Sequence, residues 1–482
     1  MNIAQTIKDE ARDYRHRIAI AEGEREIAYG ELFSLVDRVA AELKANGIRP
    51  THRVALLCGD SIEYIVVSLA VLSLQAAIVP VPVSLSMDEI EAVLDQIDVH
   101  FFIFDEAIHS RKDSHRVFAR MAFGGRASEK VLSLYERTAR EELPAVYYAM
   151  EPAFIRFSSG TTGSSKGVLL SHEAILQRTE AADKVLHMSA DDVVIWVLSM
   201  SFHFVVTILL FLRRGAKIVL CSGAFPRSLL DGLERHRGTF LYASPFHYQF
   251  MVQSSLFSPD FFTDIRFAVS TAMKLPEDRS REFFERFGFE LVEAYGIIEV
   301  GLPFINQSGN EAKRGSVGHI LPDYEVKIAH PDKEGVGEVH LRGKGMFDAY
   351  FSPWRSRREV LADGWFNTGD MGRLDGDGFL FIVGREKNVI NFAGMKVFPY
   401  EVEAVLNQHP SIEESLVYGL PHPQYGQLPA ADIVLRDGPE ASFDRNELRR
   451  FCYERLAQYK VPKEFRCVPR LERTASDKLK RW

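Results

Sequence analysis

RVALLCGDSIEYIVVSLAVLSLQAAIVPVPVSLSMDEIEAVLDQIDVHFFIFD, residues 53–105, sets the fold class. RVALLC (53–58), AIVPVPV (77–83) and HFFIFD (100–105) are short apolar runs of the kind that form strands buried on both faces. An apolar helical stretch from about Ser61 and a second helix from Met87 separate them. Strand alternating with helix predicts a doubly wound, parallel α/β layer. The alternation returns in AKIVLC (216–221), TFLYAS (239–244), IRFAVS (265–270) and ELVEAYG (290–296), which predicts a second such layer. Upstream, Leu32, Leu35, Val36, Val39, Ala40 and Leu43 recur at helical spacing, and Gly47 is placed to end that helix.

After Gly296 the style changes. EVKIAH (325–330) and GEVHLRG (337–343) are short strands bounded by turn residues, as in a small β subdomain. Glycine and charge in GREKN (384–388) read as a joint, and beyond it lie a helix from Pro399, the strand ADIVLR (431–436) and a helix from Asp444. The expected fold is α/β. A large N-terminal domain, residues 1–384, holds two doubly wound α/β layers plus a small β subdomain, and a small mobile α+β C-terminal domain spans residues 385–482.

Composition agrees with a soluble globular protein: 482 residues, 46% hydrophobic and 26% charged, enough for more than one core. The formal net charge is -8 and no run of five like charges occurs, so nucleic acid is not an expected partner. Charge is uneven, with nine basic residues against three acidic ones between Arg455 and Arg481, a solvated face or a surface for an acidic or phosphorylated partner. Cys58, Cys221, Cys452 and Cys467 are too scattered for a zinc cage or a disulfide framework. The N-terminus, MNIAQTIKDEARDYR, has charges where a signal peptide needs an apolar segment, so a cytoplasmic setting is expected. Val193–Leu212 is twenty residues without Asp, Glu, Lys or Arg, but Ser199, Ser201 and His203 interrupt it, so buried elements are expected rather than a transmembrane segment.

The chemistry concentrates in FSSGTTGSSKGVLLSH (157–172). Ser158, Ser159, Gly160, Thr161, Thr162, Gly163, Ser164, Ser165, Lys166 and Gly167 interleave hydroxyls with glycines and end on a cation. Glycine lets backbone N–H groups converge on an anion, hydroxyls add donors and lysine adds a point charge, which together make a phosphate grip. It is not a Walker loop, because no glycine directly precedes Lys166. A flexible Ser/Gly loop has the same composition, and the residues alone leave both readings open.

SSGTTGSSKGV resembles the signature loop of the adenylate-forming superfamily of acyl-CoA synthetases, stand-alone adenylation enzymes and luciferases. Further motifs follow in the family's order: EAYGIIE (293–299), GWFNTGD (364–370), GREKNVINFAGMKVFPYEVE (384–403) and RTASDKLKR (473–481). The resemblance covers nearly the whole chain. It implies ATP-dependent activation of a carboxylic acid to an acyl-adenylate, then transfer to a pantetheine thiol, with ATP, Mg²⁺ and CoA as cofactors. Asp370 would accept from both ribose hydroxyls, Tyr295 beside Gly296 would stack on adenine, and Ser270, Thr271 and Ala272 would line the base. Arg385 would reach the nucleotide, and Glu299 would ligate Mg²⁺ through a hard oxygen. Lys478 would sit between the carboxylate and the α-phosphate. Lys387 would be the hinge, and Gly394 would border the thiol tunnel.

Amino-acid-activating relatives carry an aspartate after the phenylalanine of the acid pocket; here Phe202-His203 stands instead, so an α-amino acid is disfavoured and a fatty or aryl carboxylate is expected. His203 resembles a gate residue, and Val206, Phe246 and Met273 are expected to narrow the pocket. Three departures stand out: Ile298 replaces the family's threonine, Asp477 the usual glycine before the terminal lysine, and Ser165 a common proline. Two alternatives therefore remain, an enzyme that loads the phosphopantetheine of an acyl carrier protein, and a non-catalytic relative that binds nucleotide or acyl groups.

Overall fold

Arg53–Leu57 is buried at every position, as a strand must be when helices cover both faces of a parallel sheet. In this computed structural model, which describes residues 1–109, 116–119, 122–123, 126–127, 130–137, 142–157, 166–393, 395–438, 443–474 and 478–481, that strand sits inside a nine-stranded sheet. Its parallel centre is Pro152–Phe157, Ala77–Pro80, Arg53–Leu57 and Phe101–Asp105, in that order, with antiparallel strands at both edges. The second nine-stranded sheet is built around Lys217–Leu220, Val193–Trp196, Phe240–Ala243, Phe267–Ser270 and Leu291–Ile297, all parallel. Both expected α/β layers are therefore present. One strand the apolar runs do not reveal, Ile18–Glu22, pairs in parallel with Lys217–Leu220 and extends the second sheet from the N-terminus.

The two sheets share one apolar core. Ile62–Ser73 is buried along nearly its whole length, because an all-round apolar helix has no face to give to water. With His172–Leu186 and Leu209–Arg213 it fills the space between side chains of both sheets. The charge-free stretch 193–212 is divided into the strand Val193–Trp196, the helical turn Met200–His203, a π-helical turn Phe204–Ile208 and the start of the helix Leu209–Arg213. Among the described residues no helix is long and apolar enough to cross a membrane.

A third, four-stranded antiparallel sheet follows, Tyr324–Ala329, Gly337–Gly343, Phe366–Leu374 and Leu380–Arg385, matching the expected β subdomain. The C-terminal sheet is dominated by the antiparallel pair Ile412–His422 and Gly426–Leu435. The helices Pro399–Leu406 and Arg445–Tyr453 contribute Val402, Leu406, Leu448 and Cys452 to its separate core. The first of them begins with proline at a position where no intrahelical N–H is required, and Asp444 caps the second by accepting from Asn446.

Candidate active site

Antiparallel pairing places Asp370 of Phe366–Leu374 opposite Arg385 of Leu380–Arg385. Asp370 is buried, and a buried carboxylate needs partners. One oxygen accepts from the Tyr295 hydroxyl at 2.5 Å, and the other lies 2.8 Å from Nε of Arg385. Burial, reinforced by the Asp370 charge, raises the Tyr295 pKa well above its ordinary value, so the phenol stays protonated and donates. The Tyr295 ring meets Phe304 edge-on. Thr368 fixes the strand by donating to the Val339 carbonyl and accepting from the Asp370 N–H.

Tyr295 and Glu299 flank a hairpin turn that requires Gly296: a Cβ there would stand 2.7 Å from the Gly301 carbonyl oxygen. The Glu299 backbone carbonyl accepts from Phe347 N–H and from Nη2 of Arg178, which locks the turn. Its carboxylate accepts from the Tyr350 hydroxyl at 3.1 Å, and the ammonium of Lys166 lies 4.8 Å from the centre of the Tyr350 ring. One tyrosine thus links the lysine of the phosphate loop to the expected metal ligand.

Ser270 and Thr271 are buried at the end of Phe267–Ser270. The Ser270 hydroxyl has no hydrogen-bond partner among the described residues. Ala272 follows with φ +74°, a conformation costly for a residue with a Cβ and concentrated at binding sites. A loose hydroxyl and a strained turn side by side fit a ligand that completes them. Glu299 carries an oxygen donor suited to Mg²⁺, and phosphate oxygens would supply further ligands.

His203 ends the turn Met200–His203, whose first residue donates its N–H to Asp60 at 2.8 Å. Burial raises the Asp60 pKa to about 7. The His203 ring meets Trp196 and Tyr242 edge-on. Burial first, and then the Arg156 and Lys478 cations, push its pKa down to about 3, so it is neutral at ordinary pH. Phe202 and Val206 are half-buried beside it, and Met273 is half-buried next to the Ala272 turn. Phe246 departs from expectation: it is half exposed and packs at a tilt against Phe225 and edge-on against His247, a cluster apart from the rings around His203. Its helix, Pro245–Gln253, turns Tyr248 and Met251 into the core and leaves Phe246 facing outward.

Lys478 reaches this centre from the far end of the chain. The residue keeps an exposed face, but protein crowds its ammonium. That desolvation, with Arg156 and Arg385 adding to it and Asp370 and Glu299 opposing it, lowers its pKa to about 8. The described residues of the tail are tied down. Thr474 N–H donates to the Lys478 carbonyl, Lys478 N–H donates to Thr474 Oγ1, and Arg473 bridges to Leu479. Arg481 then forms a 2.6 Å ion pair with Glu403, both side chains about nine-tenths buried, and its guanidinium lies 4.5 Å from the centre of the Tyr400 ring. Lys387 lies exposed in the turn Glu386–Asn388 between the third and C-terminal sheets. Ser158, Ser159, Gly160, Thr161, Thr162, Gly163, Ser165, Gly394 and Asp477 lie outside the described residues.

Sequence reasoning passed over Arg156, Tyr350 and Arg481. Arg156 had a visible signal, a charge inside the apolar run AFIRF (153–157); Tyr350 and Arg481 acquire their partners only through the fold.

Against this geometry, the chain matches the AMP-binding enzyme family over residues 7–351 and the AMP-binding enzyme C-terminal domain over 401–478. It belongs to that family. It is 30% identical to 4-coumarate–CoA ligase-like 9 of Oryza sativa subsp. japonica, over 100% of this chain and 92% of that one. It is 28% identical to a feruloyl-CoA synthase of Amycolatopsis sp., over 97% and 95%. ATP-bound MatB from Rhodopseudomonas palustris has a similar structure, with a TM-score of 0.85 at 25% identity, over 100% of this chain and 97% of that one.

Two predictions follow from the packing. Ile298 is half-buried against the central core, so Ile298→Thr should cost about 1–2 kcal/mol by replacing packed carbon with a hydroxyl. A lower melting temperature with an unchanged KM for ATP is the expected result. Arg481→Met should leave Glu403 buried and unpaired, costing about 3–5 kcal/mol, whereas Arg481→Met/Glu403→Leu should recover much of that stability. Thermal melts of the single and double variants check this.

Proposed function

We propose that this chain is an ATP-dependent acid–thiol ligase of the AMP-forming type, with CoA as the acceptor. The observation that carries the reading is the arrival of the Lys478 ammonium among Glu299, Asp370, Arg385 and His203, since a cation there serves the charge that develops when a carboxylate meets a nucleotide. In the first step a carboxylate oxygen of the acid attacks the α-phosphorus of ATP, the bond to the bridging oxygen breaks, and pyrophosphate leaves. In the second the thiol sulfur attacks the acyl carbon and AMP departs. Asp370 and Arg385 hold the nucleotide, the buried Ser270 hydroxyl and the Ala272 turn line its base, and Lys166 serves the phosphates. Mg²⁺ bound through Glu299 would offset phosphate charge. A neutral His203 suits a gate beside the acyl carbon and makes a poor base.

The names of the relatives support CoA over a carrier protein and aryl or other acyl acids over α-amino acids. The absence of a carboxylate at position 203 supports the same exclusion, because a buried ammonium there would go uncompensated. A non-catalytic role is disfavoured, because Lys166, Glu299, Asp370 and Lys478 are all retained. We place the domain boundary at residues 384/385, with Lys387 as the hinge. A third sheet whose last residue is Arg385 and a C-terminal sheet that starts at Ile390 support a joint within residues 385–390, one residue or more past that boundary and around Lys387.

Lys478 supplies the test. Lys478→Ala should nearly abolish acid-dependent pyrophosphate exchange while sparing thioester formation from pre-made acyl-adenylate. A lysine whose pKa is lowered to about 8 loses its charge as pH rises through that value, so kcat/KM for exchange should fall on the alkaline side near pH 8. Lys478→Arg stays charged and should lack that limb, even if its maximum is lower. Exchange by Lys478→Ala at the wild-type rate would overturn the assignment.

A further inference from the structure

Near the centre, Arg213 pairs with Glu10 and donates to Thr179, while Arg178 donates to the carbonyls of Gly345 and Glu299 and leaves Nη1 without a hydrogen-bond partner among the described residues. Arg156 is half-buried and meets Phe202 instead. It extends from Pro152–Phe157, where alternation puts its side chain on the same face as Phe154, toward the core between the two sheets. Nη1 donates to the Phe202 carbonyl, and the guanidinium carbon lies 5.9 Å from the centre of the Phe202 ring. Among the described residues Nε is buried with no hydrogen-bond partner, and no carboxylate lies within ion-pair distance. Burial lowers its pKa only to about 10, so the group remains a cation. A half-buried cation with an idle, buried donor is costly unless an anion meets it, and a guanidinium offers two parallel donors that match a carboxylate.

The surroundings say which ligand would bring that anion. Arg156 touches Phe202 and depresses the pKa of His203, the residues of the expected acid pocket, and its charge also reaches Lys478 and Glu299, while Asp370, Arg385, Ser270 and Lys166 form the nucleotide side. We propose that Arg156 is a specificity-determining residue that pairs with a second anionic group on the acid, so that the substrate carries a carboxylate, or a comparable anion, besides the one that reacts. This rests on the ligase reading of the same site. The reacting carboxylate is met by Lys478, and Arg156 binds the distal anion through Nε and Nη2 while Nη1 keeps its bond to Phe202. Phosphate of the nucleotide is the competing source of negative charge.

Pyrophosphate exchange by the full chain with matched acids separates the possibilities: glutarate against valerate, and isophthalate against benzoate. The wild type should favour the diacid in at least one pair by about tenfold or more in kcat/KM. Arg156→Met should lose that preference, with diacid kcat/KM falling about tenfold or more, monoacid kcat/KM within about threefold, and KM for ATP unchanged. Arg156→Lys retains the charge and should retain part of the preference, which guards against a methionine variant that fails to fold. A wild type that favours the monoacid in both pairs would overturn the proposal and leave the ligase reading standing. So would an Arg156→Met variant whose KM for ATP rises while both acids suffer equally, because the guanidinium would then serve phosphate. Exchange with none of the four acids, nor with palmitate or an amino acid, would overturn the ligase reading and this one together.

Discussion

The buried carboxylate of Asp370 obliges several layers to meet. Charge in a low-dielectric interior is tolerated only with partners, and these come from Tyr295 on the second large sheet and Arg385 at the end of the third. The hairpin that carries Tyr295 also carries Glu299, whose carbonyl is fixed by Phe347 and Arg178, so satisfying one carboxylate sets the position of the other. The lysine of the phosphate loop joins through Tyr350. Lys166, Glu299 and Asp370 are thus linked through Tyr350 and Tyr295, whose hydroxyls burial keeps protonated.

Arg385 is also the last residue before the joint, and Tyr400 beyond that joint feels the charges of Arg481, Glu403, Arg385 and Asp370. The tail bearing Lys478 is anchored to the small C-terminal unit by Arg481 on Glu403, and by a hydrogen bond from Arg481 to the Val417 carbonyl. Both of those partners belong to that unit. The terminal lysine is therefore tied to that unit, and under the proposed hinge at Lys387 a change of torsions there would carry its charge along.

The sequence is informative where burial is uniform. GEVHLRG (337–343) coincides with its strand residue for residue, because alternating burial and bounding glycines mark both ends. Ile18–Glu22 escapes notice since its pairing depends on a strand two hundred residues away, and single-sequence patterns carry no such information. The site divides in the same way. Asp370, Glu299, Tyr295 and Lys478 stand inside contiguous motifs, and the resemblance of those motifs to the family's is what singles them out. Phe246 is expected to narrow the acid pocket, but the helix Pro245–Gln253 that begins right after Ser244 leaves it half exposed, and which way a residue faces on a helix is not set by composition alone.

Arg156 shows why a charge in an apolar strand carries more information than another leucine. Hydrophobic positions within AFIRF are interchangeable in the sense that several side chains would fill the same volume, whereas an arginine there imposes a demand for acceptors. The Phe202 carbonyl meets part of that demand, and it is available because the helical segment changes pitch just beyond it, in the π-helical turn Phe204–Ile208. Local irregularity, an idle donor and a neutral histidine coincide at one end of an otherwise regular sheet. Such a coincidence is expected where a fold gives up packing to hold a ligand, and the proposed selectivity for the acid would then rest on the short segment between Trp196 and Leu209 and the strand that faces it.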